Sequence, residues 1–304
     1  MRNFIMLGDT CQQAFENLGE CYHLWTPERF EIIFSSEDDF RCGMNIIGIC
    51  ARLFPNIRIL TFEIMSNHFH FTMAGGLTCI LDFFETLKKF LSRHFRKGGR
   101  TVDWSGFKAS TRALTSLEDL RNVIVYNNRN GYIVSRDHTP FSYPWGANRY
   151  YFHPDARMLS ELKSRPMTLR ERQSATNSRM ADDITELMMF EGCCSPLSFC
   201  TIQHGESLFR DASHYFYLIS KNIEANKQIA KEVGESVFYT DNELFAAIAH
   251  ISRERYGAPS LTEASSSAKL ELARIMRYEY NATSKQIMRF LKLSQKILES
   301  IGIR

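Results

Sequence analysis

Between residues 58 and 75 apolar and polar positions alternate with a period of two, the pattern of strands that bury one face. Leu60, Phe62 and Ile64 recur in "RILTFEIM", and Phe69, Phe71 and Met73 in "HFHFTMAG". Ser66 and Asn67 separate the runs, which predicts two strands around a short turn. Upstream, "CYHLWT" and "RFEIIFSS" are further strand candidates. Ser36 then caps "EDDFRCGMNIIGICARLF", where Phe40, Met44, Ile47 and Leu53 recur at roughly helical spacing and Pro55 ends the run. Next, "CILDFFETLKKFLSRHFRKGG" is an amphipathic helix that stops at Gly98 and Gly99. The order strand, helix, strand, strand, helix, with a further hairpin strand, predicts an α+β fold: a ferredoxin-like antiparallel sheet with packed helices.

A second helix follows in "TSLEDLRNVIVYNNRNG", with Ser116 and Asp119 spaced as a capping box and Gly131 as the natural stop. Leu117, Leu120, Val123 and Ile124 form its apolar arc, and Asp119, Asn122, Tyr126 and Asn130 share the adjoining ridge. Tyr126 and Asn130 are therefore neighbours one turn apart. Residues 155 to 250 carry less pattern. "PMTLRERQSATNSRMADDITEL" reads as a connector plus a helix, and "CCSPLSFCTIQHGESLF" as a strand pair or a loop.

Near the C-terminus, "SSSAKLELARIMRYEYN" and "TSKQIMRFL" predict two helices, the second with Thr283 and Gln286 in capping-box spacing. After a turn, Ser294 caps "SQKILESIG". With Ile287, Leu291, Leu293 and Ile297 facing inward this is an all-α helix-turn-helix pattern, which an ordinary three-helix packing unit would share. Lys285, Arg289, Lys292 and Lys296 sit where phosphate contacts could be made and tilt it toward DNA. The expected divisions are 1–152, a connecting region over 153–260, and a DNA-binding region over 261–304.

Composition narrows the class. Hydrophobic content of 44% and charged content of 23% in 304 residues are those of a soluble globular protein. A net charge of +3 is too small to argue for nucleic acid by itself, so local clustering has to. The 8 cysteines form no C-x-x-C pair, which points to reduced thiols in a cytoplasmic protein rather than a disulfide framework. No cleavable apolar leader and no apolar stretch of bilayer length is visible, so no membrane partner is expected.

His68 and His70 stand two apart in a predicted strand, so both imidazoles leave the face opposite Phe69 and Phe71. Such a pair can chelate a cation or grip a phosphate, or be a hydrogen-bonded pair on a half-exposed sheet face. "MSNHFHF" resembles the Pro-Asn-His-x-His signature of the single-tyrosine HUH transposases, and "VIVYNNRNG" resembles their tyrosine helix. Between them, Trp104, Phe107 and Lys108 resemble the family's Trp-x-x-x-Phe-Lys segment, one residue shorter. The similarity is closest to the REP-associated tyrosine transposases and covers roughly residues 20 to 152. Gly131 stands where the family has proline, and Ser66 where proline is common before Asn67.

The resemblance implies an HUH nuclease core with the histidines on a central strand and the tyrosine on a helix facing it. It implies cleavage and rejoining of single-stranded, hairpin-associated DNA through a 5′-phosphotyrosine. Tyr126 would be the nucleophile, and His68, His70 and Asn130 would hold a divalent cation. Imidazole donors alone favour zinc; the resemblance implies Mg2+ or Mn2+. Asn67 would support the histidines from beside them.

For grip on DNA, Lys88, Lys89, Arg93, Arg96, Lys97 and Arg100 crowd one helix end, with no acid from 86 to 102 to balance them. Lys108, Lys285, Arg289 and Lys296 complete the expected DNA-binding set, and Trp104, Tyr143, Trp145, Tyr150 and Tyr151 are candidates for base stacking. The other histidines, His23 among them, have no spacing that recommends them as ligands and read as structural. The expected partners are repeat or hairpin DNA in the nucleoid and a homodimeric copy that could complete the site. The competing reading is a catalytically inactive, domesticated regulator that only binds DNA.

Overall fold

The structure is a computed structural model that describes residues 10–26, 32–134, 141–220, 241–278, 280 and 282–303, without the side chains of 130–134, 241–243 and 246. Among these it is a mixed α+β protein. Its main sheet joins β1 (Cys21–Trp25), β2 (Arg58–Ile64), β3 (Phe69–Ala74) and β4 (Ser110–Ala113) in the order β2-β3-β1-β4, every pair antiparallel. Helix α1 (Glu37–Leu53) connects β1 to β2, and α2 (Leu77–Lys97) connects β3 to β4. The expected turn is present: Met65 donates its N–H to the His68 carbonyl at 2.9 Å around Ser66 and Asn67.

The period-two pattern determines which side chains meet which layer. Phe71 packs on Phe83 of α2 with centroids 5.6 Å apart, and Phe69 packs on Phe34 at 5.3 Å. Helices α1 and α2 thus cover one face of the sheet. Ser36 caps α1 as its spacing predicts, with Asp39 completing the capping box. Helix α3 (Leu117–Val134) lies across β2 and β3 on the opposite face.

Several polar side chains between α3 and the sheet bond one another. Thr61 donates to Asn128 Oδ1, Asn128 Nδ2 donates to the Tyr215 hydroxyl at 2.7 Å, and Tyr215 donates to Asn148 Oδ1. All four residues are buried, so each of these groups would cost free energy if left without a partner.

Several expectations are corrected. Residues 32–35 of "RFEIIFSS" are irregular rather than a strand, and 27–31 lie outside the described residues. There the N–H groups of Ile33 and Phe34 both donate to the Ser66 carbonyl at 2.8 Å, which spends them on the turn instead of a ladder. Gly131 does not end its helix: α3 continues to Val134, since an internal glycine costs only about 1 kcal/mol relative to alanine.

Two large buried clusters gather most of the core residues among the described ones. Residues from Leu18 to Ile219 share one core. The segment after 153 adds α4 (Pro154–Lys163), α5 (Leu169–Thr176), α6 (Ile202–Ser207), a helix over 212–220, and a small antiparallel sheet of β5 (Arg165–Pro166), β6 (Met188–Phe190) and β7 (Cys193–Cys194). Helix α5 packs against α1 and α2.

A second core gathers α7 (Asp241–Tyr256), α8 (Ser266–Tyr278), α9 (Ser284–Leu291) and α10 (Gln295–Ser300). Thr283 and Gln286 form the expected capping box, and Lys292 turns the chain at φ 53°. Ile287 and Leu291 face inward as expected, but Ile297 is exposed and Leu298 takes the buried position. Helix α7 packs on α3, and Arg253 donates to the Phe34 carbonyl. No helix among the described residues is long and apolar enough to cross a membrane.

Candidate active site

On the α3 side of the sheet, the polar positions of three adjacent strands come together. In β3 these are His70 and Thr72, with His68 just before the strand; in β2, Thr61 and Glu63; in β1, His23. Register pairs Glu63 with His70, Thr61 with Thr72, and His23 with Thr72. The His68 and His70 rings lie 4.9 Å apart at 84°, and the Tyr126 ring meets His70 edge to face at 5.5 Å. Both strand and helix periods are needed for this contact: period two turns His70 from the aromatic core, and α3 brings Tyr126 to the border of its buried face.

The site is enclosed. His68 is 3% and His70 2% exposed, so the half-exposed sheet face expected for a bland histidine pair is not what surrounds them. Burial pushes His68 down to about 4, and burial followed by the neighbouring histidines holds His70 well below the usual imidazole value. Neutral imidazoles carry a lone pair, so they suit ligation or hydrogen bonding and not the gripping of phosphate by positive charge. His68 Nδ1 is 2.7 Å from Asn67 Oδ1. An amide oxygen can only accept, so His68 is protonated on Nδ1 and presents its Nε2 lone pair. Asn67 thus sits beside the pair, in the place expected of it.

The pair and the nucleophile candidate are together; the fourth residue of the expected set is not described. Asn130 lies within α3 one turn beyond Tyr126, and its side chain is outside the described residues. Among the described residues, no three His, Cys, Asp or Glu side chains converge closely enough to hold a metal by themselves.

Three residues here escaped the sequence reading. His23 Nε2 is 3.4 Å from His70 Nδ1, and the His23 ring is 6.1 Å from Tyr126. Glu63 is buried opposite His70 in the register. Arg129 places its guanidinium 5.3 Å from the Tyr126 ring. The alternation in "CYHLWT" and "RILTFEIM" does put His23 and Glu63 on the polar faces of their strands, but the pairing of strands that joins those faces is non-local.

The basic cluster is spread over different roles. Arg100 forms an ion pair with Asp39 at 2.7 Å and also donates to Ser35 and the Ile33 carbonyl. Lys88 pairs with Glu85 at 2.7 Å. The missing balance of charge is thus supplied partly from α1, far away in sequence. Lys89, Arg96, Lys97 and Lys108 are exposed and Arg93 is half-buried. Phe34 touches both Phe69 and Phe95, which ties the basic end of α2 to the start of β3. Lys285, Arg289 and Lys296 are exposed on α9 and α10. The aromatic candidates pack inward: Trp104 stacks on Phe95, Trp145 on Phe40, and the Tyr143 and Tyr151 hydroxyls donate to the carbonyls of Ile64 and Leu60. Tyr150 is buried as well. No protein-family model, curated protein or solved structure matches this chain.

Proposed function

We propose that this protein is a metal-dependent tyrosine transposase that cleaves and rejoins single-stranded DNA, of the REP-associated kind. The observation that carries this reading is the edge-to-face contact of Tyr126 with His70, with His68 beside it, on one face of an antiparallel sheet. The strand order β2-β3-β1-β4 with a helix in each of two crossover connections supports a ferredoxin-like core. The capped α9–turn–α10 unit supports a helix-turn-helix, with Lys285, Arg289 and Lys296 exposed on it.

In the cleavage step, Tyr126 Oη attacks the phosphorus of a scissile phosphodiester. The new O–P bond makes a 5′-phosphotyrosine as the P–O3′ bond breaks, and the proton lost by the phenol is balanced by one gained on the 3′-oxygen. Attack by that 3′-hydroxyl, or another, reverses the step and rejoins DNA without a nucleotide cofactor. His68 and His70 fit a divalent cation in kind, as neutral imidazoles with the lone pair of His68 directed to Nε2, and Asn130 would add an amide oxygen. Bound there, Mg2+ or Mn2+ would polarise the phosphate. The Arg129 guanidinium lies 5.3 Å from the centroid of the Tyr126 ring, where it would add positive charge near the phosphate.

The enclosure of His68 and His70 favours a second reading, a regulator that binds DNA without cutting it. Incubation with hairpin-bearing single-stranded oligonucleotides and Mg2+ or Mn2+ separates the two. A covalent adduct on a denaturing gel that vanishes in Tyr126→Phe supports the transposase. DNA binding without an adduct supports the regulator.

A further inference from the structure

Residues 32–35 are neither helix nor strand, and Ile32, Ile33 and Phe34 are buried, so their backbone groups need partners other than a ladder. The partners come from three directions. The N–H groups of Ile33 and Phe34 both donate to the Ser66 carbonyl at 2.8 Å, and the Ser35 N–H donates to Asp39 Oδ2 at 2.7 Å. Arg100 donates to the Ile33 carbonyl, and Arg253 of α7 donates to the Phe34 carbonyl. The side chains divide as well: Ile32 belongs to the second core, while Ile33 and Phe34 belong to the first.

Arg253 is itself well anchored. Its side chain is 11% exposed, its guanidinium lies 5.3 Å from the Phe40 ring centroid, and its Nη2 is 3.1 Å from His250 Nδ1. On the other side of residues 32–35, Ser66 belongs to the turn that leads into the histidines. Met65 closes that turn by donating its N–H to the His68 carbonyl at 2.9 Å, and Asn67 places Oδ1 2.7 Å from His68 Nδ1. The Phe34 ring packs on Phe69, the residue between His68 and His70, with centroids 5.3 Å apart. A shift of residues 32–35 therefore reaches both the turn and the strand that present the pair.

We propose that Arg253 is a positioning residue for the histidine pair: from α7 it fixes the Phe34 carbonyl, and Ile33 and Phe34 in turn fix the Ser66 carbonyl and the turn that sets His68. The sheet alone does not place that ring. Without the guanidinium, the carbonyl of the fully buried Phe34 loses a partner, in a segment that has no ladder to hold it. The turn then loses the two donors at Ser66 that tie it to the body of the protein. The cation rests on the proposed function; the placement of the turn does not.

Amide hydrogen exchange and 1H–15N NMR of the metal-free protein read this placement without any activity, and Mn2+ titration reads its consequence. In the wild type, the Ile33 and Phe34 amides are expected to be protected. Arg253→Met keeps an apolar stem and removes the donors. It is expected to lose that protection, to move the His68 ring signals and to weaken Mn2+ binding about 10-fold. Arg253→Lys, with one ammonium in place of the fork, is expected to fall between. Arg277→Ala serves as the control, because it removes a donor to the Ala282 carbonyl in the C-terminal helices and makes no bond to residues 32–35. It is expected to lower the melting temperature and to leave Ile33, Phe34 and His68 as they were. Freely exchanging Ile33 and Phe34 amides in the wild type overturn the proposal. So do wild-type His68 signals in folded Arg253→Met, or an Arg277→Ala that moves His68 as far. If Arg253→Met does not fold, the same comparison is made on Arg253→Lys. Lost protection and moved His68 signals in a protein that binds no Mn2+ and forms no DNA adduct would sink the transposase reading and leave Arg253 in its place.

Discussion

The ring of Tyr126 stands edge to face on that of His70, 5.5 Å between centroids, although the two residues belong to a helix and a strand far apart in the chain. The contact sets a phenol beside an imidazole that burial keeps neutral. Tyr126→Phe keeps the ring and its packing but removes the oxygen. It is therefore expected to leave the melting temperature within a few degrees of wild type and to reduce adduct formation at least ~1,000-fold. A variant that still forms the adduct at an appreciable rate would remove Tyr126 from the chemistry.

The same burial predicts a pH dependence of stability in the metal-free protein. Burial lowers His23 and His68 from 6.5 to about 4 in the folded chain. Between these values the unfolded chain binds protons that the folded chain does not. Stability is therefore complete above about pH 6.5 and falls as the pH drops toward 4, by roughly 1.4 kcal/mol per pH unit for each such histidine. Urea midpoints measured from pH 7 to pH 4.5 should fall steadily; a flat profile would show that the imidazoles are not buried neutral.

The Thr61–Asn128–Tyr215–Asn148 network joins β2, α3, the helix over 212–220 and the loop after 141. Asn128→Ala leaves the Thr61 and Tyr215 hydroxyls without the partner they share. We expect a loss of about 1–3 kcal/mol in denaturant unfolding. A loss under about 0.5 kcal/mol would mean that water replaces the amide easily.

Arg100 and the C-terminal cations should separate in their effects. The Arg100 guanidinium bonds Asp39, Ser35 and Ile33 and lies 4.0 Å from the Phe95 ring centroid. Arg100→Ala should destabilise the fold by about 1–3 kcal/mol and leave the salt dependence of DNA binding unchanged. Replacing Lys285, Arg289 and Lys296 together by alanine should do the reverse. It should lower the slope of log affinity against log salt by about 2–3 with little change in melting temperature. Equal salt slopes in the triple variant and wild type would take DNA away from the C-terminal helices.

Local chemistry made much of this protein legible in the chain itself. Period-two alternation located β2 and β3 and turned His68 and His70 from the aromatic core; side-chain caps at Ser36, Thr283 and Ser116 marked helix starts. These signals depend on residues within a few positions of one another, so sequence alone determines them. Where a signal could be overridden it misled, as at Gly131, whose modest helix penalty the remaining turn of α3 outweighs, and at Ile297, which the turn at Lys292 leaves outside. Tertiary structure alone decided what stands around the histidines. Strand order put β1 and β2 on either side of β3, and register then brought His23 and Glu63 to His70. It also took Arg100, in the loop after α2, into an ion pair with Asp39 of α1. Pairing between distant strands follows from the burial of a whole face and not from any local propensity, which is why His23 reads as an ordinary core histidine until β1 lies beside β3.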